Sequence, residues 1–188
     1  GLTIPDSQML AVSYYDSYAY QTEGSRLNYQ AEEGYPAKYG NANGQLTGRY
    51  IWRLDGGGYL REALYYDDNR RPIQTRSVSE TDGLTVAHTE PTFTGQPAKS
   101  EAQHQLATGG AITTEKYEYS YDHTGRLTEL KHGVGTADVT PTTLATYRYD
   151  ELGRQQQKEL GQAVASVTSS YDIQSRLTAL QSSLFSQQ

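Results

Sequence analysis

The chain is 188 residues long, with 31 Leu, Ile, Val or Phe residues and 17 Tyr. So small an aliphatic share would suit a disordered chain, but a tyrosine buries a large ring while its hydroxyl finds a partner or water, so tyrosine-rich strands still build a thin, partly wet core. A net charge of −6 with both signs mixed argues against a nucleic-acid partner, the lack of cysteine removes disulfides, thiolate metal sites and a cysteine nucleophile, and no apolar run reaches a membrane span.

Residues 1–46 read as a loop-rich β segment, in which Gly24, Gly34, Gly40 and Gly44 break short tyrosine-containing runs. Between Val12 and Tyr20 the residues Tyr14, Tyr18 and Tyr20 share a parity, which predicts one or two strands carrying long polar loops. A clearer pair of strands follows, Thr47 to Leu54 and Gly58 to Asp67, around Asp55-Gly56-Gly57-Gly58. That glycine run reads as a tight turn, because no GxGxxG, no GxxxxGK[ST] and no helix start accompanies it.

From residue 47 to 188 one local setting recurs. The dipeptides Tyr66-Asp67, Tyr121-Asp122, Tyr149-Asp150 and Tyr171-Asp172 are each followed, four residues after the Asp, by Arg71, Arg126, Arg154 and Arg176. Self-similarity at such a period predicts a repeat array in which each copy buries its apolar face against its neighbours. In the clearest copy, Tyr117, Tyr119 and Tyr121 alternate with polar residues, the period of a strand with one buried face. Asp122 at the first position and Gly125 at the fourth then suit a type I turn closed by a left-handed residue, after which a second strand runs from Arg126 to Lys131.

The copy at Tyr149 keeps Gly153, whereas Arg70 and Ser175 stand in the glycine position of the first and last copies, which predicts strained or differently shaped turns there. A degenerate fifth copy at Pro91 to Gln96 completes turn anchors near 70, 95, 125, 153 and 175. Each Asp lies within reach of the Arg that follows it, so these pairs would bridge the hairpin ends. Two stretches, Ala98 to Ala107 and Arg154 to Leu160, have helix-forming composition, but the repeat register makes both the second strand of a hairpin. The fold expected is all-β, five or six successive antiparallel hairpins forming a continuous, spiral-like repeat sheet.

The pattern Y-D-x-x-G-R-L resembles the YD repeat of the RHS family, bacterial surface and secreted proteins related to the shells of Tc toxins and more distantly to the teneurins. The match is best over residues 113 to 182, fair over 47 to 97 and weak before that. The resemblance implies a strip of hairpins winding as a spiral sheet, which in complete members closes into a hollow shell around a C-terminal effector. Those shells usually carry a core segment with an aspartyl autoproteolytic site after the repeats. Neither that segment nor an effector domain is found in this sequence, so the chain would supply wall and not cargo. It opens at Gly1 and stops at Ser186-Gln187-Gln188 with the repeat still running, which suggests a piece of a longer polypeptide.

Chemistry finds little support in the residue pattern. His88, His104, His123 and His132 lack the close spacing of a metal site and read as surface or turn histidines. Glu32-Glu33 and Asp67-Asp68 are adjacent on an extended chain, so their carboxylates point apart. No GxSxG elbow is present. The expectation is therefore a non-catalytic structural segment without cofactor or metal, enclosing or presenting a C-terminal effector of the same polypeptide. From the resemblance alone it would be secreted or at the surface of a bacterium. The alternative is a cell-surface module that binds polysaccharide, with Tyr117, Tyr119 and Tyr147 exposed as flat platforms for sugar rings.

Overall fold

The computed structural model describes residues 10–54, 58–79, 81–136, 139–183 and 186–187. The predicted turn at Asp55-Gly56-Gly57-Gly58 lies, but for Gly58, outside the described residues. Among the described residues thirteen strands follow one another: β1 (Ala11–Asp16), β2 (Ala42–Trp52), β3 (Tyr59–Tyr66), β4 (Pro72–Val78), β5 (Leu84–Pro91), β6 (Pro97–Gln105), β7 (Ile112–Tyr121), β8 (Leu127–Gly135), β9 (Thr142–Tyr149), β10 (Gln155–Leu160), β11 (Ala165–Tyr171), β12 (Leu177–Ser182) and β13 (Ser186–Gln187). Strand order is chain order, so the architecture is one of successive antiparallel hairpins with no helix among the described residues. The helix-forming stretches 98–107 and 154–160 lie mostly in β6 and β10, where ladder hydrogen bonds on both sides outweigh a weak intrinsic preference.

The chain forms two compact units, residues 1–115 with 135–138, and residues 116–134 with 139–188. In the first unit the connection from β1 to β2, residues 17–41, is a long loop that contributes Leu27, Tyr18 and Tyr29 to the core. Leu27 from this loop packs with Ala63 and Tyr65 of β3 and Val78 of β4, all at most 3% exposed, and Tyr18, Tyr29, Tyr50 and Leu84 close around them. Tyr18 stacks on Tyr65 with ring centroids 4.7 Å apart. β1 ends sooner than the tyrosine parity implies, at Asp16, whose φ of 69° turns the backbone out of the extended region. Tyr18 and Tyr20 are loop residues. The loop nevertheless brings Tyr20 back onto Tyr14, stacked at 4.1 Å, and the ring needs the bare Gly48, where a Cβ would collide with the Tyr20 hydroxyl.

Polar side chains from the sheet hold this loop by its backbone. The Thr47 hydroxyl donates to the Ser17 carbonyl (2.7 Å), the Tyr65 hydroxyl to the Leu27 carbonyl (2.6 Å), Arg76 Nε to the Arg26 carbonyl (2.8 Å) and Gln74 Nε2 to the Gln30 carbonyl (2.6 Å). All four of these sheet residues are buried. A loop that covers a sheet must satisfy its buried carbonyls somewhere, and here the strands supply the donors. In the second unit Ala145 and Ser169 are buried, while the tyrosines of β7 and β9 are half-buried.

Candidate functional site

The residues that the repeat brings together are those of the turns. In each copy the Asp backbone N–H donates to the carbonyl of the Arg four residues on, at 3.0 Å for Asp67 and 2.9 Å for Asp122, Asp150 and Asp172. The residue before that Arg donates its N–H back to the Asp carbonyl: Arg70 (3.1 Å), Gly125 and Gly153 (both 2.9 Å) and Ser175 (3.0 Å). It sits in the left-handed region every time, with φ of 63°, 82°, 81° and 62° in that order. The Arg70 and Ser175 turns therefore have the same shape as the glycine turns, and only the strain differs, roughly 1–2 kcal/mol for a Cβ in this region. The degenerate copy keeps the backbone pattern, with Thr92 N–H to Gln96 carbonyl at 2.6 Å, Gly95 N–H to Thr92 carbonyl at 3.0 Å and φ of 89° at Gly95.

The aspartate organises its own turn through both oxygens. Oδ1 of Asp67 accepts the N–H groups of Asn69 (3.0 Å) and Arg71 (2.8 Å), and Oδ2 accepts Nε of Arg71 at 2.7 Å. Asp122 repeats this with Thr124, Arg126 and Arg126 Nε (2.9, 3.0 and 2.7 Å), Asp150 with Leu152, Arg154 and Arg154 Nε (3.0, 2.9 and 2.6 Å), and Asp172 with Gln174, Arg176 and Arg176 Nε (2.9, 2.8 and 2.8 Å). Partial desolvation pushes the carboxyls of Asp122 and Asp150 up, but the N–H donors of Arg126 and Arg154 outweigh it and hold both below the usual carboxylate range. For Asp172 the Arg176 N–H and guanidinium dominate, with the same result.

The arginine then reaches beyond its turn. Nη1 of Arg71 donates to the Thr92 carbonyl of the next turn on this edge at 2.8 Å, and Nη1 of Arg154 to the Asp172 carbonyl at 3.1 Å. The guanidinium carbon of Arg126 lies 4.8 Å from the ring centroid of Tyr149, and that of Arg154 lies 4.8 Å from Tyr171, close enough for cation–π attraction. The tyrosine in turn reaches back. Hydroxyls of Tyr66, Tyr149 and Tyr171 donate to the carbonyls of Leu46, Leu127 and Gln155 at 2.7, 2.8 and 2.8 Å, on earlier strands. Tyr121 is half-buried, and burial raises its hydroxyl pKa. Arg176 keeps its bond to Asp172 with a side chain 72% exposed, against 23–31% for the other three arginines. Tyrosine, aspartate and arginine thus form a clasp that shapes one turn and fastens it to its neighbour.

The tyrosines expected as platforms have close protein neighbours. Tyr117 lies face to face with His132 at 4.5 Å and parallel to Tyr119 at 6.2 Å, and Lys158 Nζ lies 5.5 Å from the Tyr147 ring centroid. Tyr117, Tyr119 and Tyr147 are half-buried. Across β2 to β6, Ile51, Leu60, Thr85, His104 and Leu106 line a groove of about 420 Å³. Its charged groups pair with each other or with a neighbouring turn, Arg49 with Glu62 at 2.5 Å and Arg61 with Asp82 at 3.4 Å.

Two features escape the sequence reading. One is a further turn of the same kind at Ser79 to Gly83, where Ser79 N–H bonds the Gly83 carbonyl at 2.9 Å, the Ser79 hydroxyl oxygen accepts the Gly83 N–H at 2.9 Å and Asp82 has φ of 57°. Its signal is the Asp82-Gly83 pair. The other is His88, which is no surface or turn histidine: it is 4% exposed on β5, flanked by Gln74 and Glu101. Among the described residues no group of three or more His, Asp or Glu is placed to hold a metal ion.

No family model matches the sequence, and no curated protein matches it. Among solved structures the chain is similar to one chain of the TcdB2-TccC3-Cdc42 crystal structure, at 12% identity and a TM-score of 0.27, over 73% of this chain. It spans 11% of that chain's length, and at this TM-score the likeness carries no argument.

Proposed function

We propose that the chain is a structural wall segment of RHS type, which encloses or presents a C-terminal effector of the same polypeptide and performs no catalysis itself. The observation that supports this reading is the clasp. In a catalytic or binding motif the polar groups are left to meet a substrate, whereas here Asp150 is occupied by three donors of its own turn and Arg154 links that turn to Tyr171 and Asp172. A motif repeated to fasten hairpin to hairpin makes a wall that extends by adding copies. The partner in this reading is the rest of the polypeptide, and the setting, a bacterial surface or secreted shell, follows from the resemblance of the repeat.

Limited proteolysis of the complete polypeptide with intact-mass detection tests the reading. A C-terminal fragment that is cleaved off yet co-purifies with the repeats and resists protease supports it. A C-terminal region that is freely digested, or no such region, overturns it and moves the search to ligands of the sheet surface.

A further inference from the structure

The buried histidine of the first unit is wired to the covering loop through one amide. Gln74 Nε2 donates to the Gln30 carbonyl at 2.6 Å, its Oε1 accepts the Gln30 N–H at 3.4 Å, and the same Nε2 lies 3.3 Å from His88 Nδ1. An amide nitrogen carries two hydrogens and accepts none. With one hydrogen on the Gln30 carbonyl, the other points at Nδ1, so Nδ1 is the bare acceptor and the neutral ring carries its proton on Nε2. A proton added to Nδ1 sets N–H against N–H. The contact returns only if the amide turns over, and that places oxygen against the Gln30 carbonyl and nitrogen against the Gln30 N–H, so both bonds to the loop are lost.

We propose that Gln74 relays the protonation state of His88 to the loop 17–41, so that acidification releases the loop from the sheet around Gln30. The groups facing the imidazole come from every neighbouring element. On β4, the buried Arg76 opposes a second positive charge, and on β6 the buried Glu101 favours it. From the loop, Tyr35 lies 5.2 Å from the His88 ring and hydrogen-bonds with Glu101, and around Tyr35 stand Glu32, Glu90 and Lys99. Burial outweighs Glu101 and lowers the His88 pKa, so the folded state favours the neutral ring. The latch is therefore fully closed above about pH 6.5, the ordinary histidine value, and weakens as the pH falls below it.

Amide hydrogen exchange and histidine ring NMR of the whole chain, from about pH 7.5 to about pH 5, test the relay, with exchange rates corrected for intrinsic pH dependence. The expected result is about tenfold faster exchange at Gln30 and its loop neighbours at the acid end, with the midpoint of the His88 ring titration, and no such acceleration in His88→Gln. Acceleration that persists in His88→Gln, or none in the natural chain, overturns the proposal. Should that variant not fold, the natural chain decides: a Gln30 midpoint that follows His104, His123 or His132 instead of His88 overturns it as well.

Discussion

Substituting Asp67 with alanine should destabilise the first unit by more than any exposed ion pair is worth. The Asp67 side chain is 5% exposed and accepts Asn69 N–H, Arg71 N–H and Arg71 Nε at 3.0, 2.8 and 2.7 Å. Its removal leaves two backbone donors without their acceptor and strands a guanidinium that is 28% exposed. Breaking a fully buried pair costs about 3–5 kcal/mol, and the part-exposed Arg71 places this one at the low end, roughly 3 kcal/mol. Asp67→Asn keeps an oxygen for the two N–H groups and should cost about half as much. Arg71→Ala leaves the two backbone bonds to Asp67 Oδ1 in place but removes the Nε bond to Oδ2 and the link to the Thr92 carbonyl, and should fall near 2 kcal/mol. Urea unfolding followed by the fluorescence of Trp52, the one tryptophan, reports on this unit directly. An Asp67→Ala cost below about 1 kcal/mol, the range of surface ion pairs, would show that burial adds nothing to this pair.

Arg70→Gly should stabilise the same turn by about 1 kcal/mol, because φ of 63° carries no penalty in glycine, and thermal unfolding will show whether the midpoint rises. Asp122, Asp150 and Asp172 are held below the usual carboxylate range, so each contributes stability present above about pH 3.9 and lost as the pH falls further; acid unfolding of the second unit should start below that value, and Asp172→Asn should flatten its pH slope. Burial pushes the hydroxyls of Tyr18, Tyr20 and Tyr35 well above the ordinary range, so the folded chain keeps these protons and loses stability as the pH rises past about 10. Phenolate absorbance should then show a late group of tyrosines that titrates only with unfolding, and a single ordinary transition for all of them would contradict the burial. Retention on polysaccharide should be absent, since Tyr117 and Tyr147 are half-buried and each has a protein group beside its ring, and it is checked by affinity electrophoresis.

The hairpin architecture is legible because its determinants are local. An Asp, two turn residues, a position that tolerates left-handed backbone and an Arg fit within five residues, and alternation before and after them marks the strands. The same locality explains why the register overrules helix-forming composition at 98–107 and 154–160. What the pattern does not carry is the loop 17–41 and its anchorage. Leu27 lies in a polar stretch without periodicity, yet it is a centre of the core. Thr47, Gln74 and Arg76 are polar residues within strands, so pattern reading assigns them to solvent, whereas they are buried against the carbonyls of a segment 30 to 50 residues distant, Ser17 for Thr47, Gln30 for Gln74 and Arg26 for Arg76. His88 is hidden for the same reason, since Ala87 and Thr89 on either side give no hint of the amide that meets it.

The clasp between neighbouring hairpins is tested most directly by a double-mutant cycle of Arg154→Ala and Tyr171→Ala, with stabilities of β10 and β11 taken from amide hydrogen exchange. The two residues belong to successive turns of neighbouring strands, and their direct contact is the stacking of a guanidinium on a ring 4.8 Å away, beside the bonds of Arg154 to the Asp172 carbonyl and the Ser175 hydroxyl. A coupling energy of about 0.5–1 kcal/mol, with protection lost in both strands by either single change, is the predicted result. Strict additivity, with each change confined to its own hairpin, would contradict the view that the repeated motif exists to fasten one hairpin to the next.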